Sequence, residues 1–538
     1  MRYNNILLII LLFGSCYHTI GQRLQYPITL QRPTVDNYHG VEVMDEYQWL
    51  EDLNRPEVRI WIDDQNKVSE KYLKKLANQH NSVNLMNKYM LRKTRWDVYR
   101  NINFDNKRKS NYRLFYNDTY STPSIYFKEN NFNRYKILVD PQEISGKDRI
   151  DIESFEPSKD DKYLAYAYSR NGQDWREIKI KHTQGLNSPK ETLSDIKFSS
   201  IRWMKDGFYY KKYPKSDITD KLGKPAIYFH KLFTEQSQDS LIFESKNPND
   251  ELYMYSNFEE SMYLLEIANR AEHKFSYFYF DPSEAIKAFR PLFYKVDYTL
   301  SFVDYRKDHF IMRASIKGNQ HLVSIPIDNP QKTALLTPVM PDAQLTGFEL
   351  LDDRLVGTYQ SLSKPHMIVL DLNGNLLKEI DLPDGISISG MNYQKATNEF
   401  IFYMESFTIP PVICKLDLET YEYEVIERTG VNFDFKDYKF KVEYALSTDS
   451  TEVPVFIVYK NELTKNSSTP FLIQAYGGYG VVSTPSYEPG IIYFIEQGGA
   501  FAFVHARGGG EKGNVWWQDG KRLNKQHCFD DVIASTEH

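Results

Sequence analysis

Short aromatic and apolar segments recur through the middle of the chain, with polar turn residues between them. They read YRLFY, YLAYAY, FYYKKY, YLLEI, FIMRA, LVGTY and FIFYM, and they begin at Tyr112, Tyr163, Phe208, Tyr263, Phe310, Leu355 and Phe400. Their starts lie 45 to 55 residues apart, which is close to the period of a four-stranded propeller blade. Seven such segments predict a seven-bladed β-propeller over residues 80–435. A set of unrelated β-sandwiches with similar turns is the alternative.

Residues 23–79, before the propeller, follow a different pattern. A polar lead-in is followed by Val58, Trp61, Ile62 and Val68, whose intervals place them on one face of a helix. Pro56 comes just before them and fits the first helical turn, where its missing N–H costs no hydrogen bond. We therefore predict a helical N-terminal segment.

After residue 435 the apolar runs become compact, and two of them end in the glycine-rich loops YGGYG and RGGGEKG. The helical pattern after Pro489 and the strands around it favour a mostly parallel sheet in an α/β domain over residues 436–538. The predicted strands are Lys439–Ala445, Val453–Tyr459, Phe471–Ala475 and Ala500–Val504.

Asp530 and Asp531 precede a last apolar stretch and are predicted to be the N-cap and a first-turn acid of a helix. The chain reaches His538 about one turn later. Because a half-helix leaves its apolar face without a partner, we expect the α/β domain to be incomplete.

The N-terminus reads as a signal rather than as part of the fold. A basic start, an apolar run over residues 6–13 and small residues beyond it are typical of an export signal. The run is too short to span a bilayer. We predict a signal peptide over residues 1–22 and a periplasmic or secreted protein. Lipidation at Cys16 and cleavage near residue 21 are both open, and a buried N-terminal strand is the alternative to export.

Composition narrows the function classes. The net charge of -6 provides no basic footprint for nucleic acid. Cys414 and Cys528 are the cysteines beyond the signal, and they allow one disulfide at most, so the fold depends on its hydrophobic core. No metal or other cofactor is expected from the spacing of His, Cys, Asp and Glu, and we expect a monomer.

The sequence contains no Gly-x-Ser-x-Gly elbow for a nucleophilic serine. A lookalike around Ser387 has the wrong spacing and is interpreted as strand and turn. The glycine run at 508–513 ends in Gly-Asn where a phosphate loop needs Ser or Thr, so we interpret it as structural. His505 and His527 are interpreted as ordinary polar loop residues.

Tyr476 follows an apolar strand and precedes two glycines, so its phenol is placed at the carboxyl end of a strand. Ligands in open α/β sheets bind at that end. A neutral tyrosine there is a donor for a developing oxyanion. From the residue pattern alone, a buried structural tyrosine is the favoured interpretation.

Several short motifs together resemble the prolyl oligopeptidase family of serine peptidases. The N-terminal motifs are Tyr26-Pro27, Asp36-Asn-Tyr-His-Gly40 and Tyr47-Gln-Trp-Leu-Glu-Asp52. The propeller motifs are Gly172-Gln-Asp-Trp175 and Ile196-Lys-Phe-Ser199. The C-terminal motifs are Tyr476-Gly-Gly-Tyr479, Arg507-Gly-Gly-Gly-Glu511 and Asn524-Lys-Gln-His-Cys-Phe-Asp-Asp531. Their order and separations extend the resemblance from Tyr26 to the last residue.

The resemblance implies a seven-bladed propeller capping an α/β-hydrolase domain, with the N-terminal segment folded back onto the hydrolase part. It implies cleavage of short peptides on the carboxyl side of proline. Tyr476 falls where the family has the tyrosine that supplies one oxyanion donor. Tyr479 falls on an aromatic residue of the proline pocket, where the family usually has Phe. Phe198 falls on a propeller residue that contacts substrate beyond the proline.

The same resemblance places the catalytic serine, aspartate and histidine beyond the point that matches His538. We therefore expect an N-terminal portion of the enzyme that is inactive on its own. A peptidase similar to oligopeptidase B, which cleaves after basic residues, is one alternative, although its motifs fit less well at Tyr38-His-Gly40 and Asp174-Trp175. A propeller that binds peptides without cleaving them is the other.

Overall fold

The structure is a computed structural model of the chain. It describes residues 24–538 except 91–109, 117–121, 130–133, 145–147, 186, 214–223, 285–287, 317–318, 341–342, 363, 395–397, 429–430, 432, 465 and 467. The predicted signal peptide, including Cys16, lies outside the described residues. The chain divides into two compact units, Met1–Lys88 and Tyr89–His538.

The first unit contains a hairpin and two helices. Strands β1 and β2 pair in antiparallel fashion, and helix α1 begins at Pro56 as predicted, with Asn81 in the left-handed conformation at its end. The indole N–H of Trp61 donates to Thr29 Oγ1 at 2.9 Å, which attaches the lead-in to the helix. The element bounds are β1 Thr34–Tyr38, β2 Val41–Asp45, α1 Pro56–His80 and α2 Ser82–Asn87.

The second unit begins with seven successive antiparallel sheets in its described residues, six with four strands and one with three. We number them as blades 1 to 7. In each blade, strands adjacent in sequence are also adjacent in the sheet. A helix, α3 (Pro141–Ile144), follows blade 1.

The strands of blades 1 to 4 are β3 Ser110–Tyr116, β4 Pro123–Glu129, β5 Lys136–Val139; β6 Ile150–Pro157, β7 Tyr163–Arg170, β8 Arg176–His182, β9 Thr192–Ile196; β10 Arg202–Met204, β11 Gly207–Lys212, β12 Ala226–Lys231, β13 Ser240–Glu244; β14 Asp250–Ser256, β15 Tyr263–Asn269, β16 Lys274–Phe280, β17 Arg290–Val296. The strands of blades 5 to 7 are β18 Leu300–Arg306, β19 His309–Ile316, β20 Asn319–Pro326, β21 Ala334–Leu335; β22 Gln344–Leu350, β23 Arg354–Gln360, β24 Pro365–Asp371, β25 Leu376–Ile380; β26 Ser387–Gln394, β27 Glu399–Glu405, β28 Val412–Leu416, β29 Tyr423–Arg428.

The repeated aromatic segments of the sequence are all strands. In blades 2 to 7 the repeat occupies the second strand, and in blade 1 it occupies β3. The prediction of a propeller is confirmed, and the alternative of unrelated sandwiches is wrong.

The core of the propeller lies between neighbouring blades. On β7, the side chains of Leu164, Tyr166 and Tyr168 pack towards blade 1, whereas Ala165 and Ala167 pack towards blade 3. Both faces of the strand are therefore buried. This burial explains why the strand sequence is a continuous apolar run instead of an alternation of apolar and polar residues.

An α/β sheet follows the propeller, with strand order β30-β31-β33-β32. Only β32 and β33 are parallel among these strands, so the prediction of a mostly parallel sheet is wrong here. The tight turn at Ser447–Thr451 returns the chain antiparallel, whereas α4 provides the crossover between β32 and β33. The bounds are β30 Tyr438–Leu446, β31 Glu452–Lys460, β32 Phe471–Ala475, α4 Pro489–Glu496, β33 Ala500–Val504, α5 Gly513–Gln518 and α6 Lys525–Glu537.

The propeller contacts this α/β part at one end, which we call the hydrolase end. Ser387, at the start of β26, donates its hydroxyl to the Pro485 carbonyl at 2.5 Å. Glu405, at the end of β27, accepts the Tyr487 backbone N–H at 3.0 Å. Because the strands alternate in direction, each of the four-stranded blades 2 to 7 begins its first and third strands, and ends its second and fourth, at this end.

Candidate active site

The two glycine-rich loops, 476–480 after β32 and 507–513 after β33, pack backbone against backbone. The Gly480 N–H donates to the Gly508 carbonyl at 3.0 Å. A Cβ added to Gly508 would lie 2.4 Å from the Gly477 carbonyl oxygen, and one added to Gly477 would lie 2.5 Å from Cys528 Sγ. Both of these glycines have left-handed φ angles, +97° and +56°. Only glycine permits this approach, so the loops form one interlocked platform.

A buried ion centre, formed by Arg507 with the carboxylates of Asp531, Asp449 and Asp519, supports the platform. Arg507 is 1% exposed and Asp531, on α6, is fully buried. The guanidinium donates through Nη2 to Asp531 Oδ1 at 2.7 Å and through Nη1 to Asp449 Oδ2 at 2.5 Å and Asp519 Oδ2 at 2.9 Å. The Ser447 hydroxyl accepts a further hydrogen bond from Nη2 at 3.3 Å. The donors of Arg507 are thus saturated.

These contacts control the protonation of the centre. Burial alone lowers the pKa of Arg507, but the hydrogen bonds to Asp531, Asp449 and Asp519 outweigh it and raise that pKa. The hydrogen bond from Arg507 lowers the pKa of Asp449 well below its usual range. Arg507 and Asp449 therefore stay ionised at neutral pH.

The predicted roles of Asp530 and Asp531 as helix cap and first-turn acid are wrong. Helix α6 already begins at Lys525, after a 3-10 turn, so both residues lie in its interior. Asp531 is placed there to pair with Arg507. An arginine three residues after a buried strand and an aspartate inside a helix segment were the sequence signals of this pair.

Tyr476 lies at the carboxyl end of β32 and stands on the platform. Its ring passes over Gly478, where an added Cβ would lie 3.6 Å from Cε1. The side chain is 53% exposed. In the described part of the chain its hydroxyl has no hydrogen-bond partner. The site therefore presents a phenol that is free to donate.

Tyr479, three residues further on the same loop, is 88% exposed and has a left-handed φ of +56°. Phe198 lies at the hydrolase end of the propeller, between β9 and β10, with φ of +47° and 50% exposure. The structure thus brings Tyr476 and Tyr479 onto one loop. Among the described residues, no ring contact joins Phe198 to either tyrosine. The substrate roles of all three residues remain predictions.

The interpretation of His505 and His527 as polar loop residues is wrong. His505 is 2% exposed, and its ring centroid lies 4.1 Å from that of Phe456. Its Nδ1 is 3.4 Å from a carboxylate oxygen of Glu511. His527 lies in the first turn of α6, with Nδ1 2.9 Å from the Asp519 carbonyl oxygen. No local sequence pattern indicates either position, since both depend on how β33 and α6 pack.

Asp449, Asp519 and His527 approach one another closely enough to resemble a cation site, with ligand atoms within 4.8 Å. Arg507 Nη1 contacts both carboxylates, so an arginine already supplies the positive charge there. Cys414 and Cys528 are separate, buried free thiols.

A cavity of about 530 Å³ opens at the opposite end of the propeller. Its wall includes Glu156, Asp304 and Glu349, and burial raises the pKa of Glu349 to about 7. None of the predicted site residues lines this cavity. The candidate chemistry therefore belongs to the hydrolase end. In the part of the chain that the structure describes, no helix is both long and apolar enough to cross a membrane.

Comparison with known families decides the assignment. A model of the prolyl oligopeptidase N-terminal β-propeller domain matches residues 26–429, and a model of the prolyl oligopeptidase family matches residues 485–538. The chain belongs to the prolyl oligopeptidase family of serine peptidases. The family expected from the short motifs is confirmed.

Two relatives are named for their activity. A prolyl endopeptidase of Elizabethkingia meningoseptica is 27% identical over 550 residues, which cover 100% of this chain and 76% of the relative. A prolyl endopeptidase of Dictyostelium discoideum is 25% identical and covers 93% of this chain and 75% of the relative.

Solved structures agree on the fold. One of two prolyl endopeptidases analysed together superposes with a TM-score of 0.83 at 24% identity, over 95% of this chain and 76% of the solved one. Prolyl oligopeptidase B of Galerina marginata, bound to a 35mer hydrolysis and macrocyclization substrate, gives 0.79 at 23% identity, over 95% and 76%. The predicted combination of a seven-bladed propeller with an α/β-hydrolase part is confirmed.

Proposed function

We propose that this chain supplies the peptide-binding and oxyanion-stabilising part of a serine endopeptidase that hydrolyses short peptides on the carboxyl side of proline. The observation that carries the proposal is the exposed phenol of Tyr476, which has no hydrogen-bond partner among the described residues and lies on a loop that is fixed by interlocked glycines. Relatives of this chain that are named prolyl endopeptidase support the choice of proline.

Tyr476 would act when a nucleophile attacks the peptide carbonyl. The attack places negative charge on the carbonyl oxygen, and the Tyr476 O–H donates a hydrogen bond to it. A donor that is fixed beforehand requires no reorganisation, and one such donor typically contributes about 3 kcal/mol to transition-state stabilisation. The saturated contacts of Arg507 keep the loop in place for this role.

Tyr479 and Phe198 would bind the proline and the residues around it. Both expose much of their rings, and both hold a left-handed backbone that is unfavourable for side chains other than glycine. Such strain is retained mainly at functional sites, where the surrounding structure enforces it. Flat rings suit the pyrrolidine ring because they bury its apolar surface without competing for polar groups.

The family resemblance implies that the base and the orienting acid lie outside the 538 residues. We assign the catalytic serine to none of them either, because the sequence holds no Gly-x-Ser-x-Gly elbow. The same observation favours a second candidate function, in which the chain binds proline peptides without cleaving them. Both functions use Tyr479 and Phe198, but only the first one needs the phenol of Tyr476.

Hydrolysis of three reporter peptides tests the proposal. The product of the complete reading frame is assayed with Gly-Pro, Gly-Ala and Gly-Arg reporters that release a fluorescent amine. We expect a preference for the proline reporter of about 100-fold or more, since a shaped pocket discriminates by several kcal/mol. Faster cleavage of the arginine reporter would instead identify a peptidase specific for basic residues. Proline-dependent binding without hydrolysis would identify the second candidate.

We further propose that residues 1–22 direct export and that the protein remains a monomer. The N-terminus then has two alternative fates, which are lipidation at Cys16 and release after cleavage near residue 21. The apolar run at 6–13 supports export. The mass of the mature N-terminal peptide distinguishes the two fates, and an uncleaved N-terminus would contradict both.

A further inference from the structure

The hydrolase end of the propeller contains a buried lysine that has no acidic partner among the described residues. Lys211, near the end of β11, is 3% exposed. Its ammonium lies over the ring of Tyr253 at 4.8 Å and over that of Tyr213 at 5.4 Å. In the described part of the chain, no carboxylate or other acceptor bonds to it. Buried lysines are nearly always paired, so this ammonium has unused donors.

The acidic group whose charge acts on Lys211 is already engaged. Glu251 accepts a hydrogen bond from Arg270 at 2.9 Å and another from the Tyr253 hydroxyl. Burial lowers the pKa of Lys211 to about 8, with the charge of Glu251 opposing this shift and that of Arg176 adding to it. The lysine is therefore still charged at pH 7.

A second cation with a spare donor lies beside Phe198. Arg176, at the start of β8, pairs through Nη2 with Glu153 at 3.2 Å. Its Nε is buried and has no hydrogen-bond acceptor in the part of the chain that the structure describes. The guanidinium carbon lies 5.5 Å from the centroid of the Phe198 ring.

A backbone contact and the local balance of charge both connect Lys211 to the surroundings of Phe198. The Lys211 backbone N–H donates to the hydroxyl of Ser199, the residue after Phe198, at 2.7 Å. Lys197, on the other side of Phe198, is paired with Asp174 at 3.0 Å. The three cations Arg176, Lys197 and Lys211 thus face two carboxylates, Glu153 and Asp174. One positive charge remains uncompensated.

We propose that Lys211 and Arg176, next to the exposed ring of Phe198, form a subsite for a carboxylate of the bound peptide. The carboxylate belongs either to an acidic side chain or to the C-terminus of the peptide. The inference deepens the proposed function and rests on it, because Phe198 would contact the residues beyond the proline. A carboxylate bonded to two cations would satisfy the spare donors of both, and such charge-assisted bonds are among the stronger hydrogen bonds.

Peptide binding to the 538-residue chain tests the subsite without needing turnover. Each fluorescent hexapeptide contains one proline. Glu, or its neutral isostere Gln, is placed in turn at every position other than that of the proline. The C-terminus is either free or amidated. We expect one Glu position, or the free C-terminus, to bind about 10-fold more tightly, the effect of one charge-assisted bond. The position series distinguishes a side chain from a terminal carboxylate.

Substitutions then assign the preference to its residues. Lys211→Met is expected to reduce the preference, measured as the ratio of the Gln and Glu dissociation constants, to less than about 2-fold. Lys212→Met is the matched control, because Lys212 follows directly on β11 but lies over Tyr228 instead. Arg176→Met is a second, independent variant that is expected to weaken the same preference. A preference that survives both Lys211→Met and Arg176→Met would overturn the subsite.

The outcomes also separate this inference from the proposed function. Each peptide has a counterpart with Ala in place of Pro. Proline-dependent binding without any preference for a carboxylate would overturn the subsite alone. A carboxylate preference that does not depend on proline would overturn the proposed specificity but support the subsite. Failure of every peptide to bind would contradict both.

Discussion

The buried cations of the two parts of the protein differ in whether any of their hydrogen-bond donors remain unused. In the α/β part, Arg507 donates to three carboxylates and a hydroxyl, and it has no donor to spare. In the propeller, Lys211 is almost as buried, but among the described residues its ammonium is in contact with aromatic rings and with no carboxylate. A saturated buried charge has a structural role, because its partners already balance its desolvation. An unsaturated one keeps its binding capacity for a ligand.

The same distinction applies within the α/β part. The glycine platform and Arg507 fix the loop of Tyr476, whereas the phenol of Tyr476 itself has no partner among the described residues. Rigid support with an unused donor is the arrangement that electrostatic catalysis requires. The comparison thus yields predictions for stability at Arg507 and for function at Tyr476 and Lys211.

The largest expected effect on stability is at the saturated centre. Asp531→Asn removes the fully buried charge that pairs with Arg507 and leaves the guanidinium partly uncompensated. We expect a loss of about 3–5 kcal/mol in the free energy of unfolding, as is typical when one partner of a buried ion pair is removed. Urea unfolding measures it.

Asp530→Asn is the control for this variant. Asp530 is the preceding residue on α6 and accepts a hydrogen bond from Gln526 at the surface. Its substitution is expected to change stability by no more than about 0.5 kcal/mol. Equal losses in the two variants would show that the Arg507 centre does not hold the platform.

Substitution of Lys211 is expected to raise the free energy of unfolding, whereas Asp531→Asn lowers it. Lys211→Met removes a buried charge that has no acidic partner within the described ranges of the chain and replaces it with an apolar side chain of similar length. We expect the free energy of unfolding to increase by about 1–3 kcal/mol at pH 7. Lys212→Met should change it little, and a destabilised Lys211→Met variant would mean that Lys211 has a structural role after all.

A smaller, pH-dependent effect sharpens this result. The pKa of Lys211 is about 8 in the folded protein, below its ordinary value of 10.5. Between these two pH values the unfolded chain binds more protons, so Lys211 makes the stability of the protein rise with pH. The stability difference between Lys211→Met and the unsubstituted protein should therefore be constant below about pH 8 and vanish by about pH 10.5. A difference that grows with pH would contradict the assignment.

The sequence predicted the strands well because each blade buries both faces of its strands. Runs such as YLAYAY therefore stand out from the polar turns around them. The start of α6 was predicted incorrectly because an aspartate in a sequence is easily interpreted as part of a helix start. Only the fold shows that Asp531 lies inside the helix and pairs with Arg507. Glycine spacing likewise marked the loops but did not reveal that they interlock.

The cationic subsite was missed for a different reason. Lys211 follows two tyrosines in FYYKKY, where two lysines read as the polar end of a strand. Its surroundings come from three blades, with Arg176 from blade 2 and Tyr253 from blade 4. No local pattern in the sequence brings those residues together, since only the packing of neighbouring blades does so.

The most direct test of the account is the turnover of the complete enzyme with Tyr476→Phe. The substitution removes one hydroxyl from an exposed ring, so the free energy of unfolding should stay within about 0.5 kcal/mol of the original. If the phenol donates to the oxyanion, kcat for the proline reporter should fall about 10²–10³-fold with little change in KM. An unchanged kcat would contradict the account, because Tyr476 would then be a surface tyrosine without a part in the chemistry.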